Sequence, residues 1–267
     1  MGAVKPELVN GIRDRYSRVQ DAIGVATRKV GRPPDSVRLV VVTKSQPLPV
    51  VEAALQAGVS ILGENYADEA VAKIEALQST LTPPAPRDPS VSPGWSKAPS
   101  VEWHMIGHIQ SRKAKLAAAY FALIHSVDSV RLAERLSQLA GDLGRRLDIL
   151  LEFNVGGEAG KSGWNAAAEA TWPRLVDEAR AVAGLPNISV HGLMTMPPLT
   201  VNPEDARPHF RKLVKLRDFL AGRVEGAEWS ELSMGTSADF LVAVEEGATL
   251  VRIGEAILGP RPAREPK

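Results

Sequence analysis

The feature that most constrains this chain is a succession of short apolar runs, each ended by a polar residue and each followed by a stretch of helical spacing. Leu39-Val40-Val41-Val42-Thr43 runs into Lys44, and Ile149-Leu150-Leu151 runs through Glu152 and Phe153 to Asn154. Val190 to Leu193 leads to Met194 and Thr195, Leu232 to Ser233, and Leu250-Val251 to Arg252 and Gly254. Runs of this length, rich in β-branched residues and alternating with helices, read as parallel strands buried on both faces. Strands are expected near 37–43, 59–62, 101–106, 122–125, 147–154, 188–193, 228–232 and 249–253. Eight strand–helix units fit an α/β fold, a single closed (β/α)8 barrel of the TIM type; an open doubly wound sheet is the alternative that periodicity leaves open.

An extra helix precedes the first unit. Leu8, Ile12, Tyr16, Val19, Ile23, Ala26 and Val30 recur at spacings of three and four, which keeps them on one helix face. Gly31-Arg32-Pro33-Pro34 ends it, because glycine suits the C-terminal cap and proline cannot continue a helix. One segment breaks the alternation. Ser79 to Ser100 carries six prolines and almost no aliphatic residues, so it cannot bury enough surface to offset ordering. A mobile insertion at about 79–100 within one domain spanning 1–267 is expected, with a proline-rich ligand for another protein as the alternative.

Composition narrows the function classes. The formal net charge is +1, which gives no electrostatic reason to expect nucleic acid or a membrane surface as partner. Cysteine is absent, which removes disulfides, thiolate nucleophiles and cysteine-ligated metals. No leader-like or membrane-length apolar stretch is present, so a cytoplasmic protein is expected.

In barrels of this kind the chemistry sits where the strands end. A lysine at the end of an apolar strand is costly unless its amine is used or paired, and a desolvated amine is nucleophilic enough to form a Schiff base with an aldehyde cofactor. Lys44 is therefore the sharpest candidate, the alternative being a lysine that snorkels to solvent. Ser233-Met234-Gly235-Thr236-Ser237 ends strand seven and opens a helix, a place that offers amides and a favourable dipole to a phosphate. Plain N-capping by Thr236 or Ser237 explains the same residues. Gly254 after strand eight lets the backbone approach a ligand, completing the phosphate site common after strands seven and eight of barrels. Gly160-Lys161-Ser162 lacks the spacing of a nucleoside-triphosphate loop, and His104 and His108 lack the acidic neighbour of a helical zinc motif, so no metal is expected.

Taken together, the motifs are recognisable. Val42-Thr43-Lys44, Gly63-Glu64-Asn65-Tyr66, Trp103 to Gln110, His125-Ser126-Val127-Asp128, Lys161-Ser162-Gly163, His191 to Met196, Leu232-Ser233-Met234-Gly235, and Val251 to Gly254 with Ile257-Leu258-Gly259 stand in one register. In this the chain resembles the pyridoxal phosphate homeostasis proteins, relatives of the N-terminal barrel of alanine racemase. The resemblance implies pyridoxal 5′-phosphate as cofactor, carried by Lys44 as an internal aldimine, with Asn65 near the cofactor ring and Met194 lining the pocket. It implies phosphate contacts from Ser233, Gly254 and Glu255, beside the Gly235-Thr236 turn, and Arg252 at the pyridine nitrogen. This chain has Glu255 where the family often has a hydroxyl residue, leaving only the backbone amide there, and Thr236 where methionine is common. The resemblance implies a monomeric carrier that buffers or delivers the cofactor to apoenzymes, in balance with amino acids and keto acids, without efficient catalysis and without catalytic residues of its own. An arginine at the pyridine nitrogen weakens the ring as an electron sink, and the chain ends before the second domain of a racemase would begin. A slow racemase or other pyridoxal phosphate enzyme is the rival, and a phosphate binder with an inert Lys44 the third reading.

Overall fold

The computed structural model describes residues 4–78 and 101–261; the proline-rich stretch and its expected mobility lie outside the described residues. The chain opens with helix α1 (Pro6–Lys29) and strand β1 (Arg38–Val42). Then come α2 (Leu48–Gln56), β2 (Ile61–Glu64), α3 (Ala67–Gln78), β3 (Glu102–Met105), α4 (Ala114–Tyr120) and β4 (Leu123–Val127). The second half continues with α5 (Val130–Asp142), β5 (Leu147–Asn154), the short β6 (Trp164–Asn165), α6 (Trp172–Ala183), β7 (Ile188–Met194) and α7 (Arg207–Ala221). It finishes with β8 (Glu231–Ser233), α8 (Phe240–Glu245), β9 (Leu250–Ile253) and α9 (Glu255–Leu258).

All strand pairings are parallel, and the order runs β4-β3-β2-β1-β9-β8-β7-β5, with β4 also paired to β5. The sheet therefore closes on itself as an eight-stranded barrel, and the open-sheet alternative is excluded. The seam joins the first and last strands, with Arg38 opposite Leu250 and Val41 opposite Ile253. Strand β6 pairs only with the end of β5, outside the ring.

Alternation along each strand splits the core into two parts. Outward residues such as Val41, Leu62, Ile124, Ile149, Leu151 and Leu232 pack under the helices in one continuous cluster. Inward residues Val40, Leu123, Leu150, Met194 and Leu250 form a smaller cluster inside the ring. Around that cluster the interior is polar, holding buried His104, His125, Glu152, Ser233 and Arg252.

Three expectations shift. Val30 is 41% exposed and caps α1 instead of belonging to its buried face; Gly31, at φ 72°, takes the left-handed turn beyond it. Strand β8 begins at Glu231, not Glu228, because Trp229 adopts φ 53°, burying its indole with Nε1 donating to Val224 O. The sequence places the next helix at Ala166 to Ala183, but α6 begins only at Trp172, because a bend and a 3-10 turn over Glu169–Thr171 come between it and β6.

Candidate functional site

Parallel closure puts every strand's C-terminal end at one mouth. Small hydroxyl residues just inside that rim fasten neighbouring strand ends to one another. Ser126 Oγ donates to Gly107 O at 2.6 Å and Thr195 Oγ1 to Phe153 O at 2.7 Å. Thr43 Oγ1 donates to Glu64 Oε1 at 2.7 Å, tying the end of β1 to that of β2.

Lys44 follows Thr43 and is half-buried. Among the described residues its Nζ has no hydrogen-bond partner. Burial lowers its pKa, and the charges of Arg261 and Arg252 lower it further, with Glu64 acting the other way. Three cations thus share the mouth of a protein whose net charge is only +1, a setting that favours an anionic ligand.

The turn that aims Lys44 is held by a buried ion cluster. Ser45 sits at φ 58°, a conformation unusual for a residue with a side chain. Its amide donates to Glu69 Oε1 at 2.6 Å. Lys73 Nζ donates to that same Glu69 oxygen, to Glu64 Oε1 and to Thr43 O, at 2.7, 2.7 and 2.8 Å. Burial pushes the Glu64 carboxyl up, and Lys73 opposes that push. The backbone on both sides of Lys44 is therefore anchored to one ammonium group.

On the adjacent strand β9, Arg252 is 4% exposed. Its Nη2 donates to Thr195 O and contacts Met196 Sδ, both at 2.9 Å, and its Nη1 donates to Ser233 Oγ. Burial lowers its pKa to about 10, so it keeps its charge at neutral pH. Glu152 points into the same region; burial raises its carboxyl to about 7, Asp128 adds to the rise, and its Oε2 has no partner among the described residues.

The glycines at the last two strand ends are needed for space. A Cβ on Gly254 would stand 3.1 Å from Val42 O, next to the Lys44 turn. Gly235 has φ 95° and a Cβ there would stand 2.6 Å from that of Ala243. In both places the missing side chain makes room for the barrel's own neighbours, Val42 and Ala243.

The remaining sequence candidates divide. Asn65 follows β2 with its backbone packed on Gly107, where an added Cβ would meet Asn65 O at 2.5 Å. Met194 lies inside the ring. Ser233 does not turn its hydroxyl to the rim: Oγ is shared between Arg252 and His125, so β8 can reach a phosphate only through the amides that follow. Thr236 bonds Asp239 Oδ1 through both its amide and its hydroxyl, the capping role. Glu255 is exposed at the start of α9. Lys161 Nζ reaches Pro197 O at 3.1 Å and pairs with Glu158, bridging two rim loops, and Ser162 leads into β6 where a phosphate loop needs a helix. His104 is buried inside the ring while His108 faces Asp128 at 3.0 Å near the surface, so the two do not converge.

Comparison with known proteins identifies the family to which this barrel is related. The family model described as alanine racemase, N-terminal domain, matches residues 18–262. The pyridoxal phosphate homeostasis protein of Aquifex aeolicus is 38% identical over 248 residues, covering 93% of this chain and 97% of that protein. The chain belongs to the pyridoxal phosphate homeostasis protein family. Among solved structures similar to this family member are a protein of unknown function from Bifidobacterium adolescentis and PipY of Synechococcus elongatus with PLP bound. The first has TM-score 0.83 and 34% identity, covering 96% of this chain and 98% of that one. PipY has TM-score 0.72 and 31% identity, covering 93% of this chain and all of that one (100%).

For this member of the pyridoxal phosphate homeostasis protein family, the sequence alone does not single out Glu69, Lys73 or Arg261, and it shows His125 and Glu152 without a role. A signal existed for two of them: Glu69 and Lys73 are four apart on α3, so both face the strand end they clamp.

Proposed function

We propose that this chain binds pyridoxal 5′-phosphate at the barrel mouth through Lys44 and holds it reversibly for delivery to apoenzymes that need it. One observation carries the reading: a half-buried amine with no hydrogen-bond partner among the described residues stands close to Arg252 and Arg261 at the barrel mouth. The residues fit the group. Bound pyridoxal phosphate supplies an aldehyde carbon that reacts reversibly with a primary amine, together with a phosphate dianion. Desolvation beside Arg252 and Arg261 raises the share of Lys44 that is uncharged and nucleophilic. The amides of Gly235, Gly254 and Glu255 are the phosphate donors, that of Thr236 being taken by Asp239, and Glu255 takes part through its backbone alone. Arg252 faces the pyridine nitrogen as a donor that cannot give up its proton at neutral pH, which keeps a second proton off the ring. Asn65 and Met194 border the ring. A monomer in the cytoplasm, exchanging the cofactor with apoenzymes, completes the proposal.

Borohydride reduction of protein mixed with pyridoxal phosphate, followed by peptide mapping, is expected to place the pyridoxyl group on Lys44 and to find none in Lys44→Ala. Label on Lys161 instead would overturn the site.

A second reading, an amino-acid racemase, is favoured by Glu152, whose carboxyl near 7 can exchange protons at neutral pH. Arg252 opposes it by limiting carbanion stabilisation. Alanine racemisation lost in Lys44→Ala would establish that reading in place of the carrier.

A further inference from the structure

Five side chains form one hydrogen-bonded line through the barrel interior. Arg252 Nη1 donates to Ser233 Oγ, which lies 2.7 Å from His125 Nδ1. His125 Nε2 lies 3.0 Å from His104 Nδ1, and His104 Nε2 lies 3.3 Å from Glu102 Oε2. The four members from Arg252 to His104 are buried, while the Glu102 side chain is 30% exposed. Glu102 opens β3, so the line starts near the mouth and ends at the opposite end of the barrel.

The hydrogens in this line can be counted. A guanidinium only donates and an ionised carboxylate only accepts. The hydrogen bond from His104 holds the Glu102 carboxyl below the usual range, so it is ionised at neutral pH. If both imidazoles are neutral, four hydrogens serve four bonds, and one direction alone satisfies every pair. Arg252 donates to Ser233, the Ser233 hydroxyl to His125, His125 Nε2–H to His104, and His104 Nε2–H to Glu102. The reverse direction would turn a lone pair of His104 toward the carboxylate.

The surroundings agree with neutral rings. Burial drives the His125 pKa well below its ordinary value, and His104, Arg252 and Arg38 act the same way. Burial also lowers that of His104, outweighing its Glu102 bond; Arg38 lowers it further and Glu231 opposes. Among the described residues Arg252 touches no carboxylate; Glu152 and Asp239 act on it only through space. Glu102, reached through the line, is therefore its hydrogen-bonded counter-charge.

We propose that His125, His104 and Glu102 are positioning residues. They lock the Ser233 hydroxyl away from the phosphate and toward His125, leave its lone pairs to Arg252, and so fix the guanidinium between Ser233 and the rim at Thr195 and Met196. The consequence for cofactor affinity rests on the pyridoxal phosphate reading; the direction of the line does not.

The test uses the full chain without cofactor, labelled with ¹⁵N-histidine, each resonance assigned by single substitution. His104 and His125 are expected to be neutral with hydrogen on Nε2 at neutral pH. Glu102→Ala is expected to shift the signals of His125 as well as His104, although residue 102 does not touch His125, and Glu102→Gln, which keeps an acceptor, to restore the original pattern. With cofactor, Glu102→Ala is expected to weaken pyridoxal phosphate binding about threefold to tenfold, the worth of one hydrogen bond, and Glu102→Gln to recover it. An imidazolium or an Nδ1–H form of either ring, or His125 signals indifferent to Glu102→Ala, would overturn the directed line. Changed His125 signals with unchanged affinity would overturn the positioning role. Failure of the unsubstituted protein to bind pyridoxal phosphate would remove the functional reading, while the spectra would still decide the line.

Discussion

Lys73 shows what a single residue does for the mouth. It is buried between two carboxylates and the carbonyl before Lys44, and it holds a turn whose middle residue has a positive φ. Replacing it by methionine leaves the Glu64 carboxylate buried without its partner, a loss of about 3–5 kcal/mol. Chemical denaturation of Lys73→Met is expected to show that loss, and a variant as stable as the parent would deny the clamp its role. Glu152 has the opposite effect. Its carboxyl binds a proton in the folded state up to about 7, whereas its ordinary value is 4.5. Between those values the folded state holds more protons than the unfolded one, so this residue makes stability fall as pH rises. Glu152→Gln is expected to raise Tm at pH 8 and to change it little at pH 4.5. At this scale the sequence was legible where one residue ended one strand, as Lys44 does. It was not legible where a role needed partners from other strands: His104 was weighed against His108, its neighbour in sequence, while its bonded partner is His125.

Elements were the easiest part to read, because a strand buried on both faces must be apolar throughout and a helix lying on it must repeat every three or four residues. Each of the eight barrel strands was foreseen within a few residues, and the largest displacement, in β8, came from the backbone of Trp229, which hydrophobicity does not report. The pairing of β7 with β8 depends on a feature equally invisible to periodicity. Gly192 lies so close to its neighbour that a Cβ would stand 1.9 Å from Glu231 O. That contact is with backbone, which cannot swing aside. Gly192→Ala is expected to cost on the order of 3 kcal/mol or more and to lower the urea midpoint accordingly. A tolerated alanine would mean that β7 and β8 can separate without harm.

The molecule as a whole carries a second pH dependence far from the mouth. His191, at the irregularity in the β5–β7 pairing, is held between Asp148 and Glu228, both at 2.9 Å. The Asp148 bond, helped by Glu228, raises its pKa to about 8 against burial. Protonation favours the folded state, so the contribution is fully present below 6.5 and is lost as pH rises through about 8. Thermal melts across that range are expected to show a declining Tm, with a flatter profile in His191→Gln; an unchanged profile would show that the ion pairs contribute nothing. The closure seam has a consequence for biosynthesis. Lys44 follows the first strand, while Arg252 and Gly254 belong to the last strand and its end, and β1 has no second neighbour until β9 is made. A ribosome must release almost the whole barrel before the mouth can exist, and the final pairing joins residues more than two hundred positions apart, a slow kind of closure. Nascent chains therefore cannot draw on the ligand for stability, and any ligand-driven gain in folding yield arises only after synthesis is nearly complete.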